Sequence, residues 1–217
     1  MDTPSPEFGV YKAQHPASRS YSNPSNSLPT ITAPQSPMAP NTTIERFLSG
    51  NAKWRPGWKT PPPMTAIRKN GLGPENPLMI VTCMDPRCDP AQFLGGDLIF
   101  GSVRNAGGRI TPDTIASIVT LRSLNLVSEG GTVAVVHHTD CGMTHLTTQG
   151  IRDDVKKRTP GEAGRANEME FGAFAAEDFE ETIRKDVQVL KEDKLLAGMD
   201  VFGFAFITET GELKVVE

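Results

Sequence analysis

The run LMIVTC, residues 78–83, limits the fold more than any other stretch of the chain. A strand with one wet face alternates apolar and polar side chains, whereas a short apolar run without that alternation suits a strand buried on both faces. GTVAVVHH (131–138) reads in the same way, and DLIFGSVRN (97–105) and MDVFGFAFIT (199–208) supply two further strands. Helical patterns lie between them. Thr111, Pro112 and Asp113 open a helix through Leu126, with proline at the first helical position, where its missing N–H costs nothing. AAEDFEETIRKDVQVLKED (175–193) sets Phe179, Ile183, Val187 and Leu190 on one face of an amphipathic helix. The stretch before it reads only as a polar, glycine-rich excursion, and TETGELKVV turns into a short final strand. Strands alternating with helices give an α/β fold class: a central, mostly parallel β-sheet flanked by helices, with about four parallel strands and a short C-terminal one.

Residues 1–41 differ from the rest. They hold eight prolines and seven serines but only four charged side chains, Asp2, Glu7, Lys12 and Arg19. Such a segment buries too little to offset its ordering entropy, so it is expected to be a disordered arm or to pack on a neighbouring subunit. Residues 42–217 form the expected folded domain. Thr42 and Glu45 make a capping-box pattern ahead of Ile44, Phe47, Leu48 and Trp54, and PGWKTPPP (56–63) breaks that helix.

The net charge of −4 gives no electrostatic reason to expect nucleic acid or an anionic membrane as a partner. No apolar run approaches the ~18 residues of a membrane span. Three cysteines are an odd number for a disulfide scaffold and fit a reducing compartment, where Cys and His serve metals or catalysis. MDTPSPEFGVYK lacks the charged and apolar regions of a secretory signal, so the expected location is cytoplasmic, with a mitochondrial leader the weaker alternative.

In parallel sheets, ligands gather beyond the carboxyl ends of the strands. Cys83 ends the first buried run, and HHTDCG (137–142) ends the third. Adjacent strands would bring Cys83, His138 and Cys141 together, and two thiolates with one imidazole suit Zn²⁺ in tetrahedral geometry. Two readings compete for the fourth position. Cys88 would close a structural site. Asp85, held by Arg87 in a bidentate pair, would instead serve a position that opens and closes. The neighbours have plainer readings. His137 faces the other side of its strand, as a core or interface group. His145 follows the site on a helix and is a proton-shuttle candidate, and His15 lies in the arm. Thr139 and Asp140 either cap that helix or tune the ligands from behind. Asn105, Ala106, Gly107 and Gly108 shape a tight backbone near the site. Trp54 and Phe47 either line a neighbour's pocket or simply pack.

CMDPR (83–87), RNAGGRI (104–110) and HHTDCGM (137–143) resemble the three signature segments of β-class carbonic anhydrases. The similarity is to the compact archaeal, bacterial and fungal branch, which includes carbonyl sulfide hydrolases, and it runs from about Thr42 to the C-terminus. The resemblance implies one Zn²⁺ per chain on Cys83, His138 and Cys141, with Asp85 and Arg87 as the catalytic dyad and Asp85 as fourth ligand in a closed state. It implies zinc-dependent, reversible hydration of CO₂ to bicarbonate in a homodimer or homotetramer, with the site near the dimer interface. Hydrolysis of carbonyl sulfide to H₂S and CO₂ is the alternative on the same site, and a non-catalytic zinc scaffold the remote one. Two departures stand out: the segment from Gly96 to Arg104 is longer than the branch's pattern, and the Pro/Ser-rich arm is extra.

Overall fold

The structure is a computed structural model that describes residues 42–70, 78–95, 98, 100–124, 126 and 130–216. The arm over 1–41 lies outside the described residues, as does most of the lengthened segment before Phe100. The chain divides into two compact units at Pro63 and Met64. Within the first, helix α1 (Thr42–Trp54) begins where the capping-box pattern places it, and a 3₁₀ turn at Arg55–Gly57 ends it at Pro56. Its apolar residues Ile44, Phe47, Leu48 and Trp54 are exposed, and the Trp54 and Trp58 rings lie 5.0 Å apart.

The second unit opens with α2 (Met64–Asn70), then β1 (Leu78–Cys83), a 3₁₀ turn at Pro86–Cys88 and the short α3 (Pro90–Phe93). β2 (Phe100–Asn105), α4 (Pro112–Ser123) and β3 (Thr132–His138) follow. Next come α5 (Thr148–Arg158), α6 (Ala163–Asn167), α7 (Phe179–Glu192), β4 (Asp200–Ile207) and β5 (Glu212–Val216). The five strands form one sheet in the order β2-β1-β3-β4-β5. The first four are parallel, and β5 pairs antiparallel with β4. The α/β class and the short closing strand are as the sequence pattern gives them.

β2 is described from Phe100, and its expected start at residue 97 lies outside the described residues. Two elements differ from expectation. α4 takes its Thr111 cap, whose hydroxyl accepts from the Thr114 N–H, but stops at Ser123 rather than Leu126. Leu124 leaves helical geometry with a ψ of 2°, and its N–H still reaches back to the Thr120 and Leu121 carbonyls, closing the last turn. The polar excursion contains α5, which periodicity missed because Ile151 and Val155 are its only large apolar residues and none of its residues is buried. Its signals are at the ends: the Thr147 hydroxyl accepts from the Gly150 N–H, and Lys156, Lys157 and Arg158 face the negative end of the helix dipole.

Alternation along the strands builds two cores. Met79 and Val81, Val133 and Val135, and Val201 and Ala205 pack on one face against Ile118 of α4 and Ile183, Val187 and Leu190 of α7. Ile80, Ala134, Val136 and Phe206 point to the other face, where they meet Cys88 and Cys141. The same α7 face buries Asp186, which sits 2.7 Å from Arg109 Nε and 3.1 Å from His137 Nε2. Burial alone would raise the Asp186 pKa, but His137 and Arg109 outweigh it and hold the carboxyl below its usual range. His137 is therefore a core group on the far side of β3 from His138. The strand order also fixes where a ligand can enter. From β1 the chain moves outward to β2, then returns past β1 to β3, so β1 and β3 flank the switch point where the loops diverge.

Candidate metal centre

Cys83 and His138 are the last residues of the two strands at that switch point. Cys141 follows a reversal at Asp140, whose φ of 51° is left-handed, a conformation that Asp tolerates better than most residues. One ligand atom from each of Cys83, His138 and Cys141 lies within 4.8 Å of the others, and all three residues are buried. The two sulfurs are 3.8 Å apart and unbonded. Two thiolates each ~2.3 Å from a tetrahedral zinc stand about 3.8 Å from one another, so the spacing fits that ion.

The imidazole is prepared for the same role. His138 Nδ1 lies 2.9 Å from the Thr139 carbonyl oxygen, which can only accept, so Nδ1 carries the proton. Nε2 is then a lone-pair donor, fully buried and without a hydrogen-bond partner. A buried, unpaired ring nitrogen beside two thiols is costly without a cation to bind. Cys83 is held well below the usual thiol range, first by the Cys141 thiol and also by His138 and the backbone N–H groups of Asp85 and Gly107. Cys141 is pushed the other way by the Cys83 sulfur. Two sulfurs this close resist ionising together, and a divalent cation would relieve that repulsion by displacing their protons.

Asp85 and Arg87 lie beside this triangle. The Asp85 carboxylate caps the Pro86–Cys88 turn by accepting from the Arg87 backbone N–H at 2.8 Å. Arg87 returns as a fork, donating Nε to Oδ1 at 3.1 Å and Nη2 to Oδ2 at 2.7 Å. These bonds lower the Asp85 pKa to about 2 and raise that of Arg87. Oδ2 also lies 3.9 Å from His138 Nε2, so the carboxylate is ionised and next to the metal position.

Cys88 is elsewhere. Its sulfur is fully buried 2.9 Å from the Thr82 hydroxyl, which donates onward to the Val136 carbonyl. Burial raises its pKa, and its sulfur is not part of the cluster that Cys83, His138 and Cys141 form. Cys88→Ala should therefore leave metal stoichiometry unchanged and cost roughly 1–2 kcal/mol in stability from lost packing. Metal analysis beside a denaturant melt checks both, and loss of metal would return Cys88 to the ligand set.

Asn105 to Gly108 form the floor. The Asn105 amide donates to the Arg109 carbonyl and accepts from the Arg109 N–H, closing a tight turn over Gly107 and Gly108. Thr139 and Asp140 do not cap the following 3₁₀ turn at Gly142–His145, which has no side-chain cap. Thr139 bonds Thr208 and Glu209, while Asp140 bonds Arg87 and His145. Two contributors escaped the sequence reading. Arg104 donates to the Cys83 and Asp85 carbonyls at 3.1 and 2.7 Å, bracing the ligand loop from β2. Arg109 reaches Asp186 and the Gly172 carbonyl. Both are cations in RNAGGRI, at and after the carboxyl end of the edge strand β2, where ligands of a parallel sheet gather and an unexplained charge is itself a signal. A cleft of about 860 Å³ lies beyond this turn, lined by Val103, Asn105, Arg109, Met143, Ile151 and Phe171, but none of the three candidate ligands lines it.

No family model matches the chain. It is 31% identical over 183 residues to Beta-carbonic anhydrase 1 of Mycobacterium tuberculosis, covering 81% of this chain and 98% of that protein. The chain belongs to the β-carbonic anhydrase family. The crystal structure of a carbonic anhydrase from Streptococcus mutans superposes with a TM-score of 0.65 at 29% identity, over 81% of this chain and 98% of that one. Within this β-carbonic anhydrase relationship, carbon disulfide hydrolase from Saccharolobus solfataricus is 32% identical over 105 residues, 48% of each chain.

Proposed function

We propose that this β-carbonic anhydrase family member is a zinc enzyme for the reversible hydration of CO₂ to bicarbonate. Cys83, His138 and Cys141 hold the metal, and Asp85 with Arg87 forms the working pair. The observation that carries the reading is the unpaired Nε2 of His138 and two sulfurs 3.8 Å apart, with an ionised carboxylate 3.9 Å from that nitrogen. Zinc supplies a Lewis acid that lowers the pKa of a coordinated water from ~15.7 to about 7. The chain supplies the orientation. With a pKa of about 2, Asp85 only accepts hydrogen bonds at neutral pH, so it aims a neighbouring O–H without donating a proton. Arg87 holds both carboxylate oxygens and keeps them from turning toward the metal position. Thr139 fixes the His138 ring through the Nδ1 proton.

A second reading is supported by the relative named carbon disulfide hydrolase: the same centre hydrolyses carbonyl sulfide to H₂S and CO₂. Both substrates are small linear heterocumulenes attacked at carbon. Stopped-flow CO₂ hydration and sulfide release from carbonyl sulfide, on one zinc-counted batch, separate them. Fast hydration with little sulfide supports the first reading, and strong sulfide release with feeble hydration replaces it with the second. The assembly follows as a homodimer or homotetramer, supported by the exposed apolar residues of α1 and by exposed Phe202 and Val215 on β4 and β5. The cytoplasm is the proposed location, supported by three free cysteines; no described helix is long and apolar enough to cross a membrane.

A further inference from the structure

Arg87 is gripped from two sides. Its inner edge holds Asp85, and its outer edge donates Nη1 to Asp140 Oδ2 at 2.9 Å and Nη2 to the Asp140 backbone carbonyl at 3.0 Å. Asp140 thus uses side chain and main chain on one guanidinium, which its left-handed φ of 51° makes possible. Its second carboxylate oxygen is 3.1 Å from His145 Nε2, so the carboxylate is held at both ends. Arg87 is half exposed, and a side chain with that much freedom would otherwise sample many rotamers and take Asp85 with it.

We propose that Asp140 is a positioning residue that clamps Arg87, so that Arg87 in turn keeps Asp85 off the fourth coordination position of the metal. The inference rests on the zinc-site reading above. Asp85 Oδ2 is already 3.9 Å from His138 Nε2, so a small rotation brings it onto a metal held there. Two competing carboxylates on one guanidinium set the balance: Asp85 is drawn outward only while Arg87 stays anchored. The device is built from DPR and HTDC, at the carboxyl ends of two different strands, so the pairing is tertiary and not a local habit of either loop.

The test uses the full chain loaded with cobalt(II), whose visible spectrum reports ligand exchange, titrated with thiocyanate. Cobalt per chain is counted first. Asp140→Gly removes the carboxylate half of the clamp without straining the left-handed backbone, leaving the backbone carbonyl that accepts from Arg87 Nη2, and Asp140→Asn keeps one side-chain acceptor oxygen. In Asp140→Gly, released Asp85 competes for the fourth position, so apparent thiocyanate affinity should fall about tenfold, or ~1.4 kcal/mol. Asp140→Asn should fall between it and wild type. In the Asp85→Asn background no carboxylate competes, so adding Asp140→Gly should change affinity less than about twofold. Equal affinity in wild type and Asp140→Gly overturns the proposal, as does a tenfold loss that persists without the Asp85 carboxylate. If Asp140→Gly does not hold cobalt, Asp140→Asn carries the same comparison. Wild type that binds no cobalt overturns the zinc-site reading itself, and wild type that binds cobalt and thiocyanate without hydrating CO₂ overturns only the proposed activity.

Discussion

Asp85→Asn is expected to lower turnover by about a hundredfold or more while one zinc per chain remains bound. The substitution separates charge from shape. Asparagine keeps an oxygen at the Oδ1 position, where Asp85 accepts from the Arg87 backbone N–H at 2.8 Å and from Arg87 Nε at 3.1 Å, so the Pro86–Cys88 turn keeps its cap. At the other position an amide NH₂ meets Nη2, which is 2.7 Å from Oδ2, and two donors face each other. The bidentate pair is lost, and so is the acceptor beside the metal position. Cys83, His138 and Cys141 keep their own contacts, including the Thr139 carbonyl that sets the imidazole tautomer. Zinc analysis beside initial rates of hydration checks the pair of outcomes. Zinc loss together with activity would make Asp85 chiefly a ligand, and unchanged turnover would remove it from the working pair.

The parallel sheet was legible because its central strands, β1 and β3, are buried on both faces. LMIVTC and TVAVVHH leave no polar period that a surface strand or helix would need, so both read as interior strands, and it is the structure that pairs them. The three candidate ligands were legible because Cys83 and His138 end those same runs. What surrounds them was not. Asp140 reads in sequence equally as a helix cap or as a residue that tunes the ligands from behind, and only the structure shows that its carboxylate and carbonyl both serve Arg87. Asp186 stands three residues after Ile183 and four before Leu190, so its helical position puts it on the apolar face, but nothing in AAEDFEETIRKDVQVLKED shows what its carboxylate meets there. Its partners, Arg109 and His137, are 77 and 49 residues away along the chain, so the pattern of one helix cannot reveal them. α5 escaped for the opposite reason: a helix that buries nothing leaves no apolar stripe to read.

Gly108→Ala is expected to cost roughly 3 kcal/mol and to weaken metal binding along with stability. Gly108 has a φ of 68°, in the left-handed region, which costs an L side chain about 1–2 kcal/mol. A Cβ there would stand 2.9 Å from the Cys83 nitrogen and 2.9 Å from the Thr82 carbonyl carbon. Those are backbone atoms of a central strand, with no rotamer to yield, so an overpacking cost of about 1–3 kcal/mol adds to the strain. The displaced atoms are the ones that carry the Cys83 sulfur, which links stability to the site. For a chain of this size the penalty corresponds to a fall in melting temperature of about 6–12 °C. Gly107→Ala is the control. Its φ of 79° imposes similar strain, but its Cβ would meet the Arg109 and Met143 side chains at 3.3 Å, and those can shift. Thermal melts with and without a chelator should therefore rank Gly108→Ala well below Gly107→Ala, and only the former should lose most of its metal-dependent stabilisation. Equal melting temperatures for the two variants would mean that the turn, and not its contact with Cys83, is what the glycines serve.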